Sequence, residues 1–250
     1  VRVFLPKENQ TNKVLVFFHG GGWVTGDIDS YTNVCRNMAD ITNHTVISVD
    51  YRLAPEHPFP KGVEDCYFVT KEVFKRPELL NTKLDNITLI GDSAGGNLAA
   101  AVSLMARDRN EFFPKKQILI YPATNYDHSE KSPYPSVHEN GTDYIMTSRR
   151  IQDYIDLYVE NEKDKSNPYL APILSTNLKD QPETLIITAQ YDPLRDEGEA
   201  YGHKLKEFGN KVKIYRLENA IHGFFSNPIN KEQQSIAYEW INSFLNDKKD

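Results

Sequence analysis

Residues Gly91-Asp92-Ser93-Ala94-Gly95 form a G-x-S-x-G pattern directly after the apolar run Ile87-Thr88-Leu89-Ile90. A stretch rich in Ala and Leu, Ala94 to Arg107, follows. A serine on a sharp strand-to-helix turn projects its Oγ out of the fold, and small flanking residues let two backbones approach closely. Ser93 is therefore a candidate nucleophile. A serine hydroxyl is a weak nucleophile at neutral pH and needs a base within hydrogen-bond reach. On such a turn the partners follow in the order Ser, then Asp or Glu, then His. Of the seven histidines, His222 alone follows a late strand, Val212 to Leu217, and precedes a last helical stretch, and its neighbours Ala220-Ile221 and Gly223-Phe224-Phe225 are apolar. His19 belongs to a glycine-rich segment. His44, His57, His128, His138 and His203 fall in polar loops or on a helix.

The acid is sought at the end of the strand before Val212 to Leu217. Thr184 to Ala189 reads as a strand and Gln190-Tyr191-Asp192-Pro193-Leu194 as the loop leaving it. Open α/β sheets build their sites at the carboxyl ends of strands, where Asp192 stands. Asp196 competes. Asp196-Glu197-Gly198-Glu199 looks like a helix start, with Asp196 as N-cap and Glu199 at the third position. Asp196 is assigned to capping and Asp192 to the catalytic constellation. An electrophilic partner is also present. His19-Gly20-Gly21-Gly22-Trp23 follows the apolar run Val14 to Phe18. Consecutive glycines there adopt conformations closed to other residues and free their N–H groups to point at a ligand oxygen. The residue after a nucleophile of this kind, Ala94, supplies a further N–H donor.

These residues need elements to place them. Strands are expected at 1–5, 14–18, 46–50, 87–90, 117–121, 184–189 and 212–217, and helices near 31–42, 61–75, 94–108, 196–208 and 231–246. Such alternation predicts an α/β fold with a mainly parallel sheet covered on both faces. Residues 122–183 break the pattern with several prolines, many polar residues and one helix candidate, Ser148 to Asn161. Ile151, Tyr154, Ile155, Leu157 and Tyr158 give that helix an amphipathic face. The insertion lies between the strand after the Ser93 helix and the strand leading to Asp192, so a lid over the site is expected. The whole chain, 1–250, reads as one domain.

Five segments together resemble one family. HGGGW at 19–23, DYRLAPEHPFP at 50–60, GDSAGGNLA at 91–99, YDPLRDEGEAY at 191–201 and HGF at 222–224 are similar to the hormone-sensitive-lipase branch of the α/β-hydrolases. That branch includes many microbial carboxylesterases and acetylesterases. The resemblance runs from about residue 13 to the C-terminus. It implies an α/β-hydrolase fold, a triad of Ser93, Asp192 and His222, and oxyanion donors at Gly21, Gly22 and Ala94. It also implies serine esterase chemistry on a small-molecule carboxylic ester. Family members usually carry lid helices before the first strand, whereas Val1 to Leu5 already reads as a strand. A partial lid formed by 122–183 is thus expected, with a preference for acetyl to butyryl esters. Triad residues do not choose ester over amide. The alternatives are an amide or peptide hydrolase on the same fold, and a non-catalytic ligand-binding member, which would be expected to lack a triad residue.

Charge and composition remove other classes. A net charge of −6 argues against a nucleic-acid partner and offers no basic patch to an anionic membrane. No apolar stretch approaches a membrane span, and no charged segment followed by an apolar one opens the chain. No His or Asp cluster points to a metal, and no cofactor is expected. Cys35 and Cys66 lack metal-ligand spacing and read as buried thiols, which suits a reducing cytoplasm.

Overall fold

The computed structural model describes residues 1–7 and 11–246. Its strands are β1 (Arg2–Phe4), β2 (Val14–Phe18), β3 (Thr45–Val49), β4 (Ile87–Asp92), β5 (Lys116–Ile120), β6 (Glu183–Tyr191) and β7 (Val212–Ile221). They form one sheet in the order β1-β3-β2-β4-β5-β6-β7. β1 pairs antiparallel to β3, and every other pairing is parallel. All residues of β2, β3 and β4 are buried, as their continuous apolar runs require of strands covered on both faces.

The helices are α1 (Thr32–Thr42), α2 (Lys61–Lys75), α3 (Ala94–Arg109), α4 (Pro135–Glu139), α5 (Ser148–Tyr158), α6 (Arg195–Glu207) and α7 (Lys231–Asn246). Side chains alternate across a strand, so β2 feeds two cores. Val14, Val16 and Phe18 pack with Val63 and Tyr67 of α2 and Leu98 and Val102 of α3. Leu15 and Phe17 pack with Cys35 and Met38 of α1 and Ile241 and Phe244 of α7. Every residue of α3 from Ala94 to Ala106 is buried. Its small side chains explain this, since a helix without a polar face suits the inside of a fold.

Topology fixes where a site can form. β2 leads through α1 to β3 on one side of the sheet, whereas β4 leads through α3 to β5 on the other. The crevice between the carboxyl ends of β2 and β4 is thus a topological switch point, where α/β sheets bind ligands. The glycine-rich segment and Ser93 leave these two strands.

All the expected strands and helices outside 122–183 occur; β2, α2 and α7 have the expected ends and the others are shifted by one to four residues. Differences concentrate in 122–183. The expected helix from Ser148 ends at Tyr158, because Val159 is extended and 162–166 tighten into a 3₁₀ turn. Ile151, Ile155 and Tyr158 are buried, but Leu157 is 44% exposed and does not belong to the apolar face. The short α4, opening on Pro135, was not expected. Among the described residues, no helix is long and apolar enough to cross a membrane.

Candidate active site

Ser93 sits between the end of β4 and the start of α3 with φ 56° and ψ −119°. A positive φ is costly for a residue with a Cβ, so neighbouring contacts must hold it. The Ser93 N–H donates to the Ile120 carbonyl at 2.8 Å. A Cβ at Gly91 would collide with the Gly95 backbone, and one at Gly95 would collide with the Phe18 carbonyl at the end of β2. The small residues of the motif thus let strand, helix and neighbouring strand meet, which turns the hydroxyl outward.

His222 follows β7, and Asp192 follows β6. The Ser93 Oγ lies 2.8 Å from His222 Nε2, and His222 Nδ1 lies 2.7 Å from Asp192 Oδ2. A carboxylate only accepts, so Nδ1 carries the proton toward Asp192 and Nε2 is left to accept from the Ser93 hydroxyl. The second Asp192 oxygen accepts the Leu194 N–H at 2.9 Å. Asp192 is fully buried, Ser93 is 8% exposed and His222 7% exposed. The Tyr121 ring backs the imidazole at 4.7 Å between centroids. Such an arrangement can pass a hydroxyl proton to the imidazole in a poorly solvated place, where electrostatic contacts act strongly.

The glycine-rich segment lies beside the serine. Gly21 and Gly22 have φ of 121° and 62°. The Gly21 carbonyl accepts from the N–H groups of Val24 and Thr25, at 3.2 and 2.9 Å. Among the described residues, no protein acceptor takes the Gly21 or Gly22 N–H. The Ala94 N–H opens α3 and has no intrahelical partner. The structure thus joins the three predicted side chains and sets the start of the glycine-rich segment beside the strand that carries Ser93.

Residues 122–183 pack against the glycine-rich segment and α3. Trp23 stacks on Tyr158 of α5 with centroids 4.8 Å apart, and Phe59 meets the same ring edge-on. The Phe59 N–H donates to the Tyr158 carbonyl at 2.8 Å. One turn earlier on α5, the Tyr154 ring lies against Gly22, where any Cβ would strike it. Asn97 of α3 donates to the Ala123 and Leu170 carbonyls at 2.9 and 2.7 Å, tying that helix to two distant points of this segment. Neither Tyr154 nor Asn97 was singled out as a site residue from sequence. GDSAGGN contains Asn97, but nothing in the chain marks Tyr154 as facing a glycine 132 positions earlier.

Asp196 departs from expectation. α6 begins at Arg195 with Leu194 at the cap position, and no side chain caps it. Asp196 lies inside the first turn, where its carboxylate accepts the Ser136 N–H at 2.7 Å and pairs with Arg195 at 2.7 Å. The expected capping box is absent because Glu199 binds Arg216 and Thr188 instead. His128 lies in a loop, as expected, and is buried there against Glu197, with Nε2 2.7 Å from a carboxylate oxygen. Among the described residues, no group of His, Cys, Asp and Glu is arranged to hold a metal.

The geometry agrees with the likeness of the chain to known proteins. A family profile described as alpha/beta hydrolase fold matches residues 15–226. The arylesterase of Saccharolobus solfataricus is 35% identical over 237 residues, covering 94% of this chain and 76% of that protein. Esterase LipI of Mycobacterium tuberculosis is 39% identical over 213 residues, covering 84% of this chain and 65% of its own length. The solved hyperthermophilic esterase of the archaeon Pyrobaculum calidifontis superposes with a TM-score of 0.90 at 41% identity, covering 97% of this chain and 79% of that one. The chain belongs to the hormone-sensitive-lipase-like family of α/β-hydrolases, and with it to the carboxylic ester hydrolases.

Proposed function

We propose that the chain hydrolyses small-molecule carboxylic esters of short acyl length, acetyl to butyryl, through an acyl-enzyme on Ser93. His222 is base and then acid, and Asp192 orients it. Gly21, Gly22 and Ala94 N–H groups receive the oxyanion. The observation that carries this reading is the unbroken path from Ser93 Oγ through His222 to Asp192, at 2.8 and 2.7 Å.

The steps follow from the geometry. Ser93 Oγ attacks the carbonyl carbon while its proton passes to His222 Nε2. The carbonyl π pair moves onto oxygen, and the free N–H groups meet it. One such donor is worth about 3 kcal/mol. The positive end of α3 acts at the same place. Collapse of the tetrahedral intermediate breaks the bond to the alcohol, which leaves with the His222 proton. Water then gives a proton to His222, attacks the acyl-enzyme and releases the acid and Ser93.

We read residues 122–183 as a lid-like insertion in one α/β domain. The Tyr154 ring against Gly22 supports a short acyl preference, since it fills space beside the oxyanion loop. A methylene contributes about 0.8 kcal/mol only where a wall buries it. The free buried thiols Cys35 and Cys66 support a reducing cytoplasm as its compartment.

Ser93→Ala tests the reading. It is expected to fold normally and to lose on the order of 10⁴ or more in ester hydrolysis. An organophosphate is expected to label the parent at Ser93. A near-normal rate in the variant, or labelling elsewhere, would overturn the assignment.

A further inference from the structure

Behind the nucleophile lies a second buried carboxylate that the proton path does not use. Asp92 is 2% exposed and immediately precedes Ser93. One oxygen accepts the Gly20 N–H at 2.9 Å, the residue before the two oxyanion glycines. The other accepts the Tyr31 hydroxyl at 3.0 Å and the Tyr121 hydroxyl at 3.3 Å. Tyr121 in turn is the ring that backs His222. The Tyr121 ring also meets Phe224, two residues past His222, edge-on at 5.1 Å between centroids. One carboxylate thus joins the glycine segment, the start of α1, the exit of β5 and the segment after His222 to the nucleophile strand.

We propose that ionised Asp92 is a positioning residue for the oxyanion loop and for His222, and that the enzyme needs its charge as well as its shape. The inference rests on the Ser93 triad reading. Its hydrogen-bond donors are all neutral. The groups facing it are the Tyr31 hydroxyl and Cys35 thiol of α1, Tyr51 after β3, Tyr121 after β5 and Tyr238 of α7. Burial raises each of these, so they stay uncharged at neutral pH. A cationic partner arrives when His222, held by Asp192, takes the Ser93 proton. A buried charge compensated better in the transition state than at rest contributes to rate rather than to binding. A charge-assisted hydrogen bond also holds the Gly20 N–H more firmly than a neutral one.

Burial pushes the Asp92 carboxyl up to about 6, against the opposing pull of Tyr31, Gly20, His222 and Tyr121. Mild acid therefore removes the charge in the range where imidazoles also take up protons. Two protonations then oppose activity on the acid side. The same shift makes a statement about stability. The carboxyl stands above the unfolded value of about 3.9, so stability falls as pH rises from there and the charged form is a cost above the folded value. A neutral isostere relieves that cost. Asparagine can still accept from Gly20, and the tyrosine hydroxyls can turn to accept from its amide.

The experiment compares the parent, Asp92→Asn, Tyr31→Phe and Ser93→Ala across pH with a p-nitrophenyl ester. The acid limb of log kcat/KM is expected to fall more steeply than one per pH unit in the parent, and with a slope of one in Asp92→Asn. At pH 8 Asp92→Asn is expected to lose about tenfold in kcat with KM within about twofold. Its thermal midpoint at that pH should equal or exceed that of the parent, which a purely structural role would not give. Tyr31→Phe removes one donor from the carboxylate, so its acid limb should move to higher pH. This second variant tests the inference even if Asp92→Asn does not fold. Unchanged kcat and slope in Asp92→Asn, or an unmoved acid limb in Tyr31→Phe, would overturn it. Retained activity in Ser93→Ala would instead sink the triad reading, while an inactive Ser93→Ala beside an unaltered Asp92→Asn sinks this inference alone.

Discussion

Asp192 and Asp196 are close in sequence, yet only Asp192 reaches the imidazole. Asp192 leaves the end of β6 facing the crevice, whereas Asp196 lies inside the first turn of α6 and is drawn sideways by Ser136 and Arg195. Asp192→Asn should keep its fold but present an amide N–H to Nδ1 and favour the wrong tautomer, costing about 10⁴ in kcat. Asp196→Asn retains an acceptor for the Ser136 N–H and should change kcat by less than about threefold. Steady-state kinetics of the two variants check this, and the reverse ranking would reassign the acid. At this scale the sequence was informative where a residue ends a strand. Ser93, Asp192 and His222 each follow a strand that the sequence made legible, by apolar runs before Ser93 and Asp192 and by the mixed stretch from Val212 before His222. The role expected of Asp196 failed because a capping pattern specifies a side chain's options and not which neighbour competes for it.

α5 shows what an element adds. Ile151, Ile155 and Tyr158 form its buried face, and Tyr158 stacks on Trp23, the residue after Gly21 and Gly22. That docking sets Tyr154 over Gly22. Tyr154→Ala removes an aromatic wall without touching the buried face. The ratio of kcat/KM for octanoyl over butyryl p-nitrophenyl esters is expected to rise by about tenfold, the worth of roughly two newly accommodated methylenes. A ratio that stays constant across the series would show that Tyr154 does not limit acyl length. The amphipathic period of α5 was readable, but its partner was not. A helix face records that it is buried and not against what. Leu157, placed on that face from sequence, is exposed because the helical period turns it away from the stripe formed by Ile151, Ile155 and Tyr158.

At the scale of the molecule, Glu197 ties the segment after β5 to α6. One Glu197 oxygen accepts the Thr124 and Asn125 N–H groups at 2.6 and 3.0 Å, and the other faces His128 at 2.7 Å. Glu197→Ala leaves these buried groups without an acceptor, at a cost of about 3 kcal/mol or more. For a chain of this size that lowers the thermal midpoint by on the order of 10 °C, and Glu197→Gln should lose less because it keeps one acceptor. Differential scanning calorimetry checks both. Equal midpoints for all three proteins would mean that the buried network contributes nothing to stability.

The order of strands and helices, the turn that exposes Ser93 and the chain order of serine, acid and base were determined by the sequence itself. Each is a local pattern: a hydrophobic period, a pair of small residues beside a serine, a strand end. Only the tertiary structure decided what those patterns meet. It placed β2 beside β4, so that Gly95 lies against Phe18 and Gly20 against Asp92. It buried His128 on Glu197 and set Tyr154 on Gly22. These contacts join residues many turns of chain apart. Which distant groups share one small buried volume depends on how the whole sheet packs its helices, and no local pattern carries that information.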